Sequence, residues 1–360
     1  MYSTLLPLGF IISFISCIFL IYLDKRAAES GEINIRKSPQ TLHTKSISRF
    51  GGVSLVIALS LTSLLYGYNW NNSVLFQAGV LSLPAFIVGF LDDLKFYMKP
   101  LFRLILILPV PIIYFYYFDL RIVNLDIGFL DSFLELEIMA LIFLCFSIVG
   151  MINAFNLIDG INGLLGSYLL SIILALNIVE AAVGEPILSI PDNFRLFTNM
   201  LLGALLAFLI LNYPFGKIFM GDAGAYYLGA ITCFGLIYIH LENNNSPWAV
   251  MCILAYPFTD LVFSVFRKKI IMKKDAMEPD AQHLHHLIFK RLKKLHFKNE
   301  RARHFFTVIF ITAFNIPYLC LSFFFNNNTP VLIAIFFAYL VSYLLIYFAL
   351  SPRFLMSNGK

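Results

Sequence analysis

The chain has 360 residues, 59% of them hydrophobic and only 13% charged, with a mean hydropathy of +0.81. This composition excludes both a disordered chain and an ordinary soluble core, and it points to an integral membrane protein. The net charge of +5 follows from topology, as the loops below show, and calls for no nucleic-acid partner.

In chain order, eleven apolar stretches approach the roughly 20 residues that a spanning helix needs: 3–23, 51–68, 74–91, 101–118, 135–152, 163–182, 196–213, 223–240, 246–266, 304–325 and 329–350. Helices are expected, because isolated strands cannot satisfy their backbone in lipid. If the loops alternate sides, every Lys and Arg except Arg121 and Arg195 falls on one face of the membrane. The positive-inside rule makes that face cytoplasmic, with the N-terminus out and the C-terminus in. The first span runs straight into Asp24-Lys25-Arg26 and lacks a basic n-region, so it reads as a retained helix. The five cysteines all lie within spans and form no Cys-x-x-Cys pair, which indicates buried packing and neither disulfides nor zinc. No internal repeat is evident. The expected architecture is therefore all-α, a single polytopic membrane domain over 1–360.

Polar segments interrupt this pattern, and all fall on the cytoplasmic side. The first loop offers Arg36-Lys37, His43 and Arg49-Phe50-Gly51-Gly52. Asp92 and Asp93 then stand together at the end of the third span. Adjacent carboxylates in a low dielectric repel unless a cation or proton intervenes, and Mg²⁺ suits hard oxygen ligands shared with phosphate. The plainer alternative is an interfacial pair fixing the helix end beside Lys95 and Lys99.

After the fifth span a loop is expected over Asn153-Ala154-Phe155-Asn156-Leu157-Ile158-Asp159-Gly160-Ile161-Asn162-Gly163. Its amides can serve sugar hydroxyls, phosphate or a base edge, and its glycines admit close approach of a ligand. Phe219-Met220-Gly221-Asp222-Ala223-Gly224 opens the eighth span after Tyr213-Pro214-Phe215-Gly216-Lys217. Asp222 there is either a metal ligand or a helix N-cap, and the flanking glycines with Lys217 suit phosphate. Tyr256-Pro257-Phe258-Thr259-Asp260 follows near the end of the ninth span. Last comes Asp280-Ala281-Gln282-His283-Leu284-His285-His286, within the large cytoplasmic loop 267–303. Histidines so close in sequence rarely converge on one ion, so they fit phosphate donors better. Beyond them Leu284, Leu287, Ile288, Leu292 and Leu295 alternate with Lys290, Arg291, Lys293 and Lys294, a basic amphipathic segment suited to the anionic inner leaflet.

As an ordered set these segments resemble the polyprenyl-phosphate N-acetylhexosamine-1-phosphate transferases, the glycosyltransferase family holding the bacterial enzymes MraY and WecA. Asp92-Asp93 is similar to the family's paired aspartates, Asn153 to Gly163 to its Asn-Ala-x-Asn-x-x-Asp-Gly segment, Phe219 to Gly224 to its Gly-Asp segment, and His283 to His286 to its histidine motif. Tyr256 to Asp260 also matches a family pattern. His43, Arg49-Phe50-Gly51-Gly52 and the His-x-His-His form look more like the WecA branch. One departure is Asn162, where many relatives carry a second aspartate.

The resemblance implies transfer of N-acetylhexosamine-1-phosphate from a UDP-N-acetylhexosamine to polyprenyl (undecaprenyl) phosphate in the bacterial cytoplasmic membrane, with Mg²⁺ or Mn²⁺ as cofactor. Asp222 would hold the metal with help from Asp92, Asp93 and Asp159, and Asp92 or Asp93 would deprotonate or orient the lipid phosphate. His283, His285, His286 and Lys217 would balance diphosphate charge, while Phe219 would stack on uracil near Asn156 and Gly160. Asn153, Asn162, His43 and Arg49 complete the expected substrate contacts. The expected partners are the nucleotide sugar, the acceptor and membrane lipid, with a homodimer left open. A transporter or lipid flippase is the rival reading, and a CDP-alcohol phosphotransferase lacks its paired motif here.

Overall fold

The structure, a computed structural model, describes residues 2–29, 47–67, 73–94, 96, 98–184, 187–188, 190–273, 275 and 281–351. His43, Arg36, Lys37 and Asp280 lie outside the described residues. The described residues form helices, turns and short irregular connections, with one isolated parallel bridge between Ser48 and Ile218.

The first long helix, α1 (Tyr2–Glu29), is followed by α2 (Gly51–Leu65). The third apolar stretch is one span in two pieces, α3 (Val74–Leu81) and α4 (Leu83–Asp93), and the fourth likewise α5 (Pro100–Ile107) and α6 (Pro109–Tyr117). Each second piece begins with proline in its first turn, where the missing N–H breaks the ladder least. A short helix α7 (Gly128–Leu134) precedes α8 (Glu137–Ile158), α9 (Leu164–Val183), α10 (Asp192–Asn212) and α11 (Gly221–Asn243). The chain then forms α12 (Pro247–Ile253) and α13 (Ala255–Phe266), the latter continuing as a π-helical turn over Arg267–Ile271, and closes with α14 (Leu284–Lys294), α15 (Glu300–Phe324) and α16 (Thr329–Leu350).

Among the described residues, nine helices are long and apolar enough to cross a membrane, or ten if α12 and α13 count as one bent span. Two expected spans therefore differ. The 51–68 stretch yields a helix of 15 residues, about 22 Å at 1.5 Å per residue, against the roughly 30 Å hydrocarbon core. The 246–266 stretch breaks by 76° at Leu254. Pro257 accounts for the break, since it has no N–H for the Ile253 carbonyl and its ring crowds that position. The Tyr168 hydroxyl donates to that carbonyl instead, at 2.5 Å, which satisfies a backbone group that lipid could not.

Helix α11 is the hub, packed on α2, α3, α4, α8 and α12. Its Gly221, Ala223, Gly224, Ala225, Gly229, Ala230 and Gly235 are all buried, and small residues let helix backbones approach where lipid supplies no hydrophobic drive. A Cβ on Gly52 would stand 2.2 Å from Gly224 Cα, and one on Gly89 would stand 2.4 Å from the Asp222 carbonyl oxygen. These contacts bring the ends of α2, α4 and α11 together. Helix α14 packs on α15 and α16, burying Leu284 and Ile288. The apolar side expected to meet the leaflet thus meets protein in its first turns, and Leu295 lies past the helix end, 55% exposed.

Candidate active site

Two backbone strands of hydrogen bonds fix the entrance. Phe219 N donates to Ser48 O, and Gly51 N and Gly52 N donate to Phe219 O and Met220 O at 2.8 and 2.7 Å. The first amides of α2 are thus used to seat the 219–224 segment, and Arg49 is carried to the mouth of α11. Asp222 is the second residue of that helix; Met220 occupies the cap position and no side chain caps it. The N-cap alternative is therefore set aside, and the Asp222 carboxylate is free to face other groups.

Asp222 Oδ1 accepts from Asn156 Nδ2 at 2.9 Å and lies 3.5 Å from Arg49 Nη2. Asp93, at the end of α4 and buried, accepts from Ala223 N at 3.0 Å through Oδ2, while its Oδ1 stands 3.4 Å from Arg49 Nε. Arg103 Nη1 is bonded to Asp92 Oδ2 and lies 3.8 Å from Asp222 Oδ2. Two arginines therefore interleave with three carboxylates from α4 and α11. Asp159 joins the same field. Burial first, then the Asp222 charge, push it well above the ordinary carboxylate range, with Arg49 acting the other way.

Asn153 and Asn156 lie on α8, which runs six residues beyond the expected end of the fifth span; only Asp159 to Gly163 is a turn. Buried Ile152, Ala154, Phe155 and Ile158 keep the helical period through the motif, which is why it is not a loop. Asn153 is half-buried one turn before Asn156. Gly160 touches the histidine segment: a Cβ there would stand 3.0 Å from both His285 Nε2 and His286 Cε1. Buried Asn162 packs against Gly216, whose φ is +59°, with its Nδ2 2.6 Å from the place of a Cβ there and the Phe219 ring edge 3.7 Å away. Lys217 is exposed, its ammonium 5.8 Å over the Phe215 ring.

The three histidines divide. His283 Nδ1 is 2.7 Å from Asp260 Oδ2, turned into the protein. His285 Nδ1 meets the Tyr256 hydroxyl at 3.1 Å, and its buried Nε2 has no hydrogen-bond partner among the described residues. Burial, then His286, hold His285 well below the ordinary imidazole range, so it is neutral near pH 7.

Along the sequence Arg103 counts only toward topology, Asp260 has no assigned role and Arg267 is one cation of a basic loop. In the fold Arg267 is fully buried, donating to Gln282 O at 2.7 Å and to the Tyr347 hydroxyl at 2.6 Å. The signal for Arg103 was a lone guanidinium opening an apolar stretch, where an unpaired charge is expensive.

The aspartates and Asn156 supply hard oxygen donors of the kind Mg²⁺ and Mn²⁺ take. No three His, Cys, Asp or Glu side chains among the described residues stand as a ready cage. Mg²⁺ is usually held by one or two carboxylates plus substrate phosphates rather than by an all-protein cage, so the residues fit.

The family described as Glycosyl transferase family 4 matches residues 75–242. A probable undecaprenyl-phosphate N-acetylglucosaminyl 1-phosphate transferase of Bacillus subtilis (strain 168) is 29% identical over 285 residues, covering 77% of this chain and 75% of the relative. An undecaprenyl-phosphate alpha-N-acetylglucosaminyl 1-phosphate transferase of Escherichia coli (strain K12) is also 29% identical, over 76% of this chain and 73% of its own. A phospho-N-acetylmuramoyl-pentapeptide-transferase of Clostridium botulinum (strain Alaska E43 / Type E3) is 32% identical over a shorter 57% and 64%. Over residues 75–242 the chain is similar to glycosyl transferase family 4. The matched residues carry the aspartates, the asparagine segment and Lys217, whereas Arg49 and the histidines fall outside them. It is the fold that brings the two sets to one place.

Proposed function

We propose that the protein transfers N-acetylhexosamine-1-phosphate from a UDP-N-acetylhexosamine to polyprenyl phosphate, of which undecaprenyl phosphate is the form the relatives' names give. The products are polyprenyl-diphospho-N-acetylhexosamine and UMP, the first lipid-linked step of a cell-envelope glycan. The observation that carries this reading is the convergence of Asp92, Asp93, Asp159 and Asp222 with Arg49, Arg103 and the His285–His286 pair at one end of a bundle of apolar helices. The rival, a transporter, suits groups near the midplane, whereas Asp93 ends α4, Asp222 opens α11 and Asp159 follows α8.

Phosphoryl transfer asks chiefly for positioning and charge neutralisation. Asp222, with Asp92, Asp93 and Asp159, would hold Mg²⁺, which when bound neutralises phosphate oxygens. Arg49 and Arg103 stand between the carboxylates and offset their mutual repulsion. Asp93, pinned by Ala223 N, or Asp92 orients the acceptor phosphate for attack on the β-phosphorus of the donor. His285 presents Nε2 beside Gly160 to donate to a diphosphate oxygen, and Asn162 with Phe219 forms the floor against which uridine rests. The site would face the cytosol in the bacterial inner membrane, where nucleotide sugars are found.

The test is UMP release by the purified protein in lipid nanodiscs given undecaprenyl phosphate and UDP-N-acetylglucosamine, with other UDP-N-acetylhexosamines in parallel. Release that needs both substrates is expected, abolished by EDTA and restored by Mg²⁺ or Mn²⁺. No release with any donor sinks the transfer reading, and full activity in chelator sinks the metal.

A further inference from the structure

Asp260 is 1% exposed, lies on α13 far from the other aspartates in sequence, and has no part in the chemistry above. It nevertheless uses both oxygens. Oδ1 accepts from the Tyr343 hydroxyl at 2.7 Å and from Leu284 N at 3.3 Å; Oδ2 meets His283 Nδ1 at 2.7 Å. One carboxylate thus ties α13, α16 and the first amide of α14 to the residue that precedes that helix. A carboxylate only accepts, so the hydrogen of His283 sits on Nδ1. The His283 ring in turn stacks on His285, with centroids 5.5 Å apart and planes 7° from parallel. His285 is held from its other side by the Tyr256 hydroxyl, one turn before Asp260 on α13. The result is that Nε2 of His285, buried and without a hydrogen-bond partner among the described residues, points at Gly160.

We propose that Asp260 is a positioning residue for the reaction: through His283 it fixes the tautomer and tilt of the histidine stack, and so sets where His285 Nε2 stands beside Gly160. This rests on the transfer reading above for the role of His285. For histidines that ligate a metal, removing the outer partner that orients the ring costs about 10- to 100-fold, and a loss at the lower end of that range is expected for a histidine that only donates a hydrogen bond. Asp260→Asn keeps the shape and one accepting oxygen for Leu284 and Tyr343, but turns an amide donor toward His283 and reverses its tautomer.

The experiment measures UMP release against UDP-N-acetylglucosamine concentration for wild type, Asp260→Asn, His283→Gln, the double variant and Tyr343→Phe, with thermal unfolding of each in the same detergent. Asp260→Asn is expected to lower kcat at least about tenfold with KM for the nucleotide sugar within about twofold, a loss confined to the transition state. The double variant should be no worse than the worse single one, as for two members of one unit. Tyr343→Phe, which removes a bond to the same carboxylate and leaves His283 alone, should stay within about twofold of wild type. Wild-type kcat in Asp260→Asn, multiplied losses in the double variant, or equal losses in Tyr343→Phe would each overturn the proposal. If Asp260→Asn does not accumulate as folded protein, His283→Gln decides: a kcat loss at constant KM supports the proposal and wild-type kcat overturns it. A wild type that releases no UMP fails the transfer reading instead, and so the two failures are told apart.

Discussion

Asp222 shows how one side chain acquires its work from its neighbours. Its carboxylate meets Asn156, Arg49 and Arg103, groups drawn from three separate segments of the chain. Replacing it by Asn keeps the hydrogen-bonding shape and removes the charge. We expect Asp222→Asn and Asp93→Asn to lose at least about a hundredfold in kcat/KM, as when groups that stabilise a transition state are deleted. Glu242→Gln, on the exposed far end of α11, should leave UMP release unchanged. Equal losses at the three positions would mean the site is misplaced. Asn162 poses a different question, because it packs on the Gly216–Phe219 turn rather than among the arginines. Asn162→Asp should hold activity within about tenfold, while Asn162→Leu should raise the donor KM more than it lowers kcat, the mark of lost uniform binding. An unchanged donor KM in Asn162→Leu would remove this residue from the donor site.

Among the elements, α2 and α11 meet through glycine. With Gly52 and Gly224 in backbone contact, even a methyl group must part the helices or bend the Ser48 to Met220 bonds. Gly52→Ala is expected to destabilise by about 1–3 kcal/mol, the range for overpacking, and to lower kcat because Arg49 moves with the junction. Gly150, on α8, has open space where its Cβ would be. Gly150→Ala should be neutral or stabilise by up to about 1 kcal/mol, as alanine does in a helix. Thermal unfolding of both variants in one detergent reads the contrast; a Gly52→Ala protein as stable and active as wild type would show that the junction tolerates separation. The same scale explains two corrections. The Asn153 motif read as a loop because amides and glycines crowd it, yet its apolar residues kept the helical period. The ninth stretch, expected as one span, bends by 76° before Pro257, and the Tyr168 hydroxyl takes the carbonyl that the proline releases.

At the scale of the molecule, the charge asymmetry of the loops predicts an orientation. A single cysteine placed at Glu242 in a background without native cysteines should react with an impermeant maleimide added to intact cells, and one placed at Arg291 only after the membrane is opened. The reverse pattern would put the histidine segment and the nucleotide sugar on opposite sides, and would sink the cytosolic site. The sequence by itself determined the lipid solvent, the helical class, the order of the apolar stretches and the aspartate, asparagine and histidine segments, because hydropathy and short motifs are local properties written along the chain. Tertiary structure alone decided which charges meet. Arg103 looked like any interfacial cation until α5 set it against Asp92. Asp260 was a motif residue without a task until α13 turned it toward His283, and Arg267 became a buried tie to Gln282 and Tyr347. Each of these pairings joins segments with no shared periodicity, so no pattern along the chain records it; what selects them is that a charge buried in a low dielectric has to find its partner wherever packing brings one.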